Sequence, residues 1–211
     1  MIDIYMTMSS LSCPCFLDLK AENVLFSSRV WDRHRASDKR GYYEMPSDYT
    51  IKLIDFGGAT YDDDDRKSRI INTRQYRGPE VTLHVGWSFP SDIWSVGCII
   101  AEIYLGELLF QTHEELEHLA LMERLLGGAG RGFPLKMVNH SKYKDKYFKV
   151  EGDNCRVKID SLSSESRKYV LQQPTSLDKV LLSSSHSPLS EEEKGLVGLL
   201  SKLLAIAPHD R

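Results

Sequence analysis

The chain has 211 residues, a formal net charge of −3, and 41% hydrophobic and 27% charged residues. That is long enough for one large domain with a real core, and the composition is ordinary for a soluble protein. The slight negative charge argues against nucleic-acid binding as the main task, and no apolar run is long enough to cross a bilayer.

Met1 to Cys15 has neither a basic start nor a clean apolar core, so it makes a poor secretory signal. It has no helical stripe and contains Pro14, which predicts an irregular start over 1–15. Val24-Leu25-Phe26 and Ile51 to Ile54 predict two short strands flanking a cleft, with the polar stretch Ser27 to Thr50 as a long surface excursion. Asp62-Asp63-Asp64-Asp65 is a like-charge run that repels itself outward, most simply a solvated turn. Ser91 to Leu105 is apolar on nearly every side and predicts a buried central helix. Thr112-His113-Glu114-Glu115 has the form of a capping box; Leu116, Leu119, Met122, Leu125 and Leu126 then recur at helical spacing, and Gly127-Gly128 ends the helix. Residues 128–190, rich in Gly, Ser and Lys, predict an irregular insert with a short helix or hairpin, and Ser183-Ser184-Ser185 a loop. Ser190-Glu191-Glu192-Glu193 is a second capping box. It opens a helix that buries Leu196, Val197, Leu199, Leu200, Leu203 and Leu204 and closes before Pro208. Cysteines stand scattered at 13, 15, 98 and 155, with no zinc-ligand spacing, so a reducing compartment is the simplest reading and Cys98 a small core residue.

Three motifs carry chemistry. Asp18-Leu19-Lys20-Ala21-Glu22-Asn23 is followed by Asp55-Phe56-Gly57 and then by Gly78-Pro79-Glu80. In this order they resemble the protein-kinase pattern D-L-x-x-x-N, D-F-G, A-P-E, with Gly78 in place of Ala. The resemblance implies phosphoryl transfer from ATP with Mg²⁺. Asp18 would accept the proton of the incoming hydroxyl, and Lys20 would lie against the transferring phosphate. Asn23 offers a neutral hard oxygen to the metal and Asp55 a charged one, with Gly57 permitting the turn that aims Asp55. Thr73 matches the threonine that contacts the catalytic Asp, and Arg74 and Arg77 lie in the segment that cradles the substrate residue after the acceptor. Asp92 matches the buried carboxylate that holds the catalytic loop, and Glu80 with Arg211 a buried ion pair.

The segment Glu117 to Gly127 closely resembles the EHLAMMERILG signature of the LAMMER kinases, a dual-specificity branch near the cyclin-dependent and splicing-factor kinases. Only Leu121 and Leu125 differ, both apolar exchanges. Asn72 to Glu80 is similar to the family's STRHYRAPE. The resemblance covers roughly 16–211. It implies protein substrates such as Arg/Ser-rich splicing factors, no direct nucleic acid, no membrane, a monomer, and a nuclear or cytoplasmic location, with the nucleus favoured by the resemblance. Asp62 to Asp65 then has a second reading, a docking surface for arginine-rich substrates. The signature helix itself reads as a packed helix, not a catalytic site.

The implied fold class is mainly α: a protein-kinase-like C-terminal lobe with a few short strands at the catalytic cleft and the N-lobe absent. No G-x-G-x-x-G and no V-A-I-K-like strand precedes Asp18, and the glycines of 127–132 come too late to cradle phosphate. The division is an irregular, truncated start over 1–15 and a C-terminal lobe over 16–211, incomplete at both ends, with an insert at about 128–190. The chain alone is then expected to be inactive. The alternative function is a kinase-derived docking module or a truncated gene product. Phe16-Leu17 replaces the usual His-Arg, which removes the arginine that reads an activation-loop phosphate.

Overall fold

The computed structural model describes residues 14–15, 18–35, 41–61, 70–127, 132–183 and 188–211. The expectations for the irregular start before Pro14, for Phe16-Leu17, for Asp62 to Asp65, for Gly128 to Arg131 and for Ser184-Ser185 lie outside the described residues.

The described chain opens on β1 (Pro14–Cys15) and passes through a 3₁₀ turn at Ala21–Asn23 into β2 (Val24–Phe26). β3 (Trp31–Arg35) and β4 (Tyr42–Pro46) follow, then β5 (Ile51–Leu53) and β6 (Thr60–Tyr61). The six strands make three antiparallel pairs, β1 with β6, β2 with β5 and β3 with β4. Val24 stands opposite Leu53 and Phe26 opposite Ile51. The predicted excursion is therefore an ordered ribbon, with Trp31 opposite Pro46 and Arg35 opposite Tyr42. Every residue of β3 is exposed, so burial does not hold it. Cross-strand pairs do: the Arg33 guanidinium lies 4.5 Å from the Tyr42 ring centre, and His34 stacks on Tyr43 at 5.5 Å.

The helical part begins with α1 (Pro79–Thr82) and α2 (Phe89–Leu105). α2 starts two residues earlier than predicted because Pro90 sits in the first turn, where its missing N–H costs nothing. Gly106, at φ +76°, ends it in the left-handed conformation. The helix is not buried all round: Trp94, Cys98 and Ala101 are in the core, while Ile103 is 72% exposed. α3 (Glu115–Leu126) has Glu114, not Thr112, at its N-cap position, with no capping bond from the Glu114 side chain. Thr112 donates instead to the Glu114 carbonyl (3.1 Å), and the Glu117 carboxylate accepts from the His113 N–H (3.1 Å). The capping chemistry is present but serves a helix that starts later.

The predicted irregular insert is built. β7 (Phe133–Pro134), α4 (Leu135–Val138), α5 (Lys144–Tyr147), β8 (Phe148–Glu151) and β9 (Asn154–Val157) follow one another. The three strands form one antiparallel sheet, order β7-β9-β8. Phe133 and Phe148 meet edge to face at 5.2 Å beneath it, and Cys155 is fully buried. α6 (Ser164–Gln172) and α7 (Leu177–Ser183) complete the segment. α8 (Glu191–Leu203) has the predicted capping box: the Ser190 N–H donates to Glu193 (2.7 Å) and the Glu193 N–H to Ser190 Oγ (3.2 Å). Leu200 and Leu204 are fully buried, whereas Leu199, predicted inside, is 46% exposed.

The core lies around α2. Trp94 stacks on Phe110 at 5.9 Å, and Leu119, Met122, Leu200 and Leu204 close on the same cluster. Burying a leucine of this kind stabilises by roughly 1.5–3 kcal/mol. A Cβ at Gly97 would stand 2.8 Å from Leu204 Cδ2, so glycine is what lets the chain beyond α8 approach α2.

The expected mainly α lobe lacking an N-lobe is corrected. Among the described residues six strands in three sheets form a β region ahead of the first α-helix, and a further three-stranded sheet lies among the helices. β2 and β5 lie where Val24 to Phe26 and Ile51 to Ile54 predicted strands; β3 and β4 are polar and largely exposed, held by their backbone ladder and surface ring contacts, so they left no hydrophobic alternation to read.

Candidate active site

The 3₁₀ turn at Ala21–Asn23 and the β2–β5 ladder bring two of the sequence motifs together. The Asn23 N–H donates to the Lys20 carbonyl (3.0 Å), and the Ile54 N–H donates to the Asn23 carbonyl (3.0 Å). Asp55 therefore stands one residue beyond a backbone bond to Asn23. The Asn23 side chain is buried and donates through Nδ2 to the Asp18 carbonyl (2.9 Å), which leaves its amide oxygen as the free end. Asp55 is exposed and takes φ +62°, a conformation that Asp tolerates better than most residues. This corrects the role given to Gly57. Asp55 itself makes the left-handed turn, and Gly57 supplies an N–H 3.3 Å from Asp55 Oδ1.

Asp18 is the hub. Its Oδ1 accepts from the Thr73 N–H (2.8 Å) and the Thr73 hydroxyl (2.7 Å), and its Oδ2 accepts from Lys20 Nζ (2.6 Å). Partial burial pushes its pKa up, but the hydrogen bonds from Lys20 and Thr73 outweigh it and hold the carboxyl below the usual range. The hydrogen bond to Asp18, together with the nearby charges of Glu22 and Asp55, raises the Lys20 pKa in turn. Asp18 is thus an ionised acceptor at neutral pH, 31% exposed at its side chain.

Thr73 is held in place by residues that the sequence reading missed. Asn72, at φ +62°, is buried and donates to Ser95 Oγ on α2 (2.9 Å), and Ser95 donates to the Tyr76 carbonyl (2.9 Å). The signal was available: an Asn before the motif threonine, and a small polar residue in an apolar helix. The Tyr76 hydroxyl adds a bond to Glu102 (2.5 Å), and burial pushes its pKa far up. Arg77 Nε donates to the Ile71 and Asn72 carbonyls (2.9 and 3.0 Å), so it shapes its own loop. Arg74 is 3.2 Å from Glu115 at the start of α3, a charge contact with poor hydrogen-bond geometry. Asp92 is half-buried in the first turn of α2 and engaged by a neighbour.

Glu80 and Arg211 meet in a buried fork, Nη1 to Oε1 at 2.8 Å and Nη2 to Oε2 at 2.7 Å. Ser91 donates to the same carboxylate (2.8 Å). Arg211 also donates to the Pro90, Ala205 and Ile206 carbonyls and lies 5.0 Å from the Trp94 ring centre. The polar residues of the signature helix are likewise spent on the fold. Glu123 accepts from the Val157 N–H (2.9 Å), tying β9 to α3. Arg124 donates to the Leu171 and Gln173 carbonyls (2.6 and 2.5 Å), satisfying the end of α6.

The donor set fits a divalent metal held with nucleotide phosphates. Asn23 and Asp55 offer one neutral and one charged hard oxygen, and such a metal keeps water and phosphate as its other ligands. Among the described residues no cluster of three or more His, Cys, Asp or Glu could hold a metal by itself. Leu25 and Ile54, two residues after Asn23 and one before Asp55 in the chain, are apolar and 46% and 41% exposed.

This is the arrangement of a phosphoryl-transfer site, and the comparisons agree. The protein kinase domain model matches residues 12–211, and the chain belongs to that family. It is 39% identical to the serine/threonine-protein kinase AFC2 of Arabidopsis thaliana, over 92% of this chain and 44% of that protein. It is 40% identical to the serine/threonine-protein kinase Doa of Drosophila melanogaster, over 92% of this chain and 22% of that protein. The dual specificity protein kinase CLK2 of Homo sapiens is 39% identical over 92% of this chain and 36% of its own length. These relatives bear out the LAMMER resemblance. The crystal structure of the PF14_0431 kinase domain superposes with a TM-score of 0.72 and 33% identity, covering 94% of this chain and 56% of that one. The chain spans less than half the length of the curated relatives named here. The alignment from residue 12 onward also removes the absent N-lobe as a premise, and with it the reason for expecting inactivity.

Proposed function

We propose that this chain carries the catalytic site of a LAMMER-type protein kinase. It would transfer the γ-phosphate of ATP, with Mg²⁺, to Ser or Thr, and also Tyr, of protein substrates. The observation that carries the reading is the double hold of Thr73 on Asp18, which joins two motifs 55 residues apart around one carboxylate. Bound Mg²⁺·ATP supplies the phosphoryl group and neutralises charge on its oxygens. Asn23 and Asp55 would hold the metal, and the apolar surface of Leu25 and Ile54 suits a flat base. Asp18, kept ionised, orients the incoming hydroxyl and receives its proton. Lys20 already bridges Asp18 and Thr73, 2.6 Å from one and 3.5 Å from the other, and swings its ammonium toward the transferring phosphate. Arg77 fixes the loop beneath the substrate residue, and Arg74 stays partly exposed beside it.

Arg/Ser-rich splicing factors are the substrate class that the family resemblance supports, with a nuclear location, no direct nucleic-acid or membrane partner, and a monomeric state. The test is phosphate transfer by the full-length protein to an Arg/Ser peptide and to a neutral serine peptide. Asp18→Asn lowers the rate by about two to four powers of ten if Asp18 is the base. An unchanged rate rejects that assignment, and equal rates on the two peptides reject the substrate class. No transfer by the wild type leaves the docking module as the function.

A further inference from the structure

A second surface has chemistry that the catalytic site does not use. Between Lys136 and Lys158 the chain carries seven Lys/Arg and three Asp/Glu, against a net charge of −3 for the whole. Arg156 is neutralised by Glu123 at 3.0 Å, and the Lys158 ammonium is spent on the Asp145 carbonyl at 2.6 Å. Lys136, Lys142, Lys144, Lys146 and Lys149 have no carboxylate in ion-pair reach among the described residues. All but Lys144 are exposed. These five lysines fall within fourteen residues, on α4, the turn before α5, α5 itself and β8, and an anion offsets like charges held in one short segment.

The ammoniums are placed. Tyr143 and Tyr147 stack at 5.1 Å, and Lys142 and Lys146 each lie 5.1 Å from the centre of one of these rings. The rings restrain the lysine stems, so less freedom is lost when an anion is bound. The same geometry disfavours nucleic acid. The tyrosine faces are taken up by each other and by the lysines, and Tyr147 is only 8% exposed, so no ring is open for a base to stack on.

The surface is joined to the segment that carries the substrate-side residues. Ser141 donates to the Leu83 carbonyl (2.7 Å), and His84 meets the Tyr143 ring edge to face at 5.3 Å. Leu83 and His84 directly follow α1, which contains Pro79 and Glu80. We propose that the lysine-rich segment 136–149, centred on Lys142 and Lys146 over the Tyr143–Tyr147 stack, docks a phosphoserine-bearing segment of polypeptide, so that a protein already phosphorylated by this kinase stays bound for a further transfer. A phosphoserine brings close to two negative charges and three acceptor oxygens, against one charge for a carboxylate, so several ammoniums without carboxylate partners match it best.

The proposal rests on the kinase reading, and its test is kept independent of catalysis. Without ATP, the full-length protein is titrated against a fluorescent synthetic serine peptide in unphosphorylated, phosphoserine and glutamate-substituted forms, and against a single-stranded RNA of equal charge. Tight binding of the phosphoserine form alone is expected, weakening as salt is raised. The double variant Lys142→Gln, Lys146→Gln weakens it about tenfold or more, with thermal unfolding confirming that the fold is intact. Equal binding of the phosphorylated and unphosphorylated peptides overturns the proposal, as do an unaffected double variant or tighter binding of RNA. Failure of the kinase reading shows separately, as absence of phosphate transfer to the unphosphorylated peptide.

Discussion

Replacing Glu80 by Gln keeps the shape of the side chain and removes its charge. The consequence follows from the surroundings of Arg211, whose side chain is 0% exposed while that of Glu80 is 3% exposed. The guanidinium would keep the carbonyls of Pro90, Ala205 and Ile206 and the Trp94 ring, but no anion. Removing one partner of a buried pair costs about 3–5 kcal/mol, because the other charge stays buried without compensation. For a domain of this size that lowers Tm by about 6–20 °C. The geometry adds a second expectation. The pair ties the end of the chain to α1 and to the start of α2, so replacing both residues by Met recovers most of the loss, since apolar pairs of similar volume are often as stable. Urea unfolding of Glu80→Met, Arg211→Met and the double Met variant, arranged as a cycle, measures the coupling. A Glu80→Gln protein within about 1 kcal/mol of wild type, or a double variant as unstable as the sum of the singles, would refute the reasoning.

Three further outcomes are expected. Burial and the charges of Arg74 and Arg77 hold the His118 imidazole down at about 3, against an ordinary 6.5. The unfolded chain takes up this proton first, so stability falls as pH drops through that window, by at most about 1.4 kcal/mol per pH unit. Its Nε2 has no hydrogen-bond partner among the described residues, so His118→Leu removes this contribution to the slope at small cost; an unchanged slope in urea titrations from neutral to acid pH sinks the idea. A Cβ at residue 78 would lie 2.7 Å from the pinned Glu80 carboxylate, so Gly78→Ala, although it restores the kinase motif, destabilises by about 1–3 kcal/mol. A neutral or stabilising Gly78→Ala in thermal melts would contradict this. Thr73→Val removes the hydroxyl that helps to lower the Asp18 pKa. A depressed carboxylate stabilises above its unfolded value of 3.8 and loses that contribution as pH falls through the folded one. Thr73→Val is therefore less stable than wild type at neutral pH, and the two converge in acid; a gap that widens in acid refutes the assignment.

The chemistry at Asp18, Asn23 and Asp55 was legible because each motif is local, a loop whose residue types match what a metal, a phosphate and a hydroxyl require. The helices were legible where capping and periodicity agreed, as at Ser190 with the leucines of α8. They were misplaced where the cap signal stands ahead of the helix, as at Thr112, whose hydroxyl bonds the Glu114 carbonyl while α3 starts at Glu115. The ribbon over 31–46 was not legible, because its stability comes from ring contacts across two strands rather than from an alternating apolar face. The sheet of β7, β8 and β9 was hidden for a related reason. Its strands are short, and what orders them is Glu123, brought in from α3, and the contact between Phe133 of β7 and Phe148 of β8.

The sequence by itself determined the family, the catalytic residue types and the central helix, because these depend on short spacings and on the identity of side chains. Only the tertiary structure decided what those residues touch. It put Thr73 on Asp18, turned Asp55 rather than Gly57 into the left-handed position, and spent Arg77 on its own backbone. It made the signature helix a set of staples for β9 and α6, and it set Lys142 and Lys146 over a pair of stacked tyrosines beside the substrate segment. Hydrogen-bond partners and charge clusters are set by how remote segments pack, and nothing in the order of residues along the chain fixes those distances.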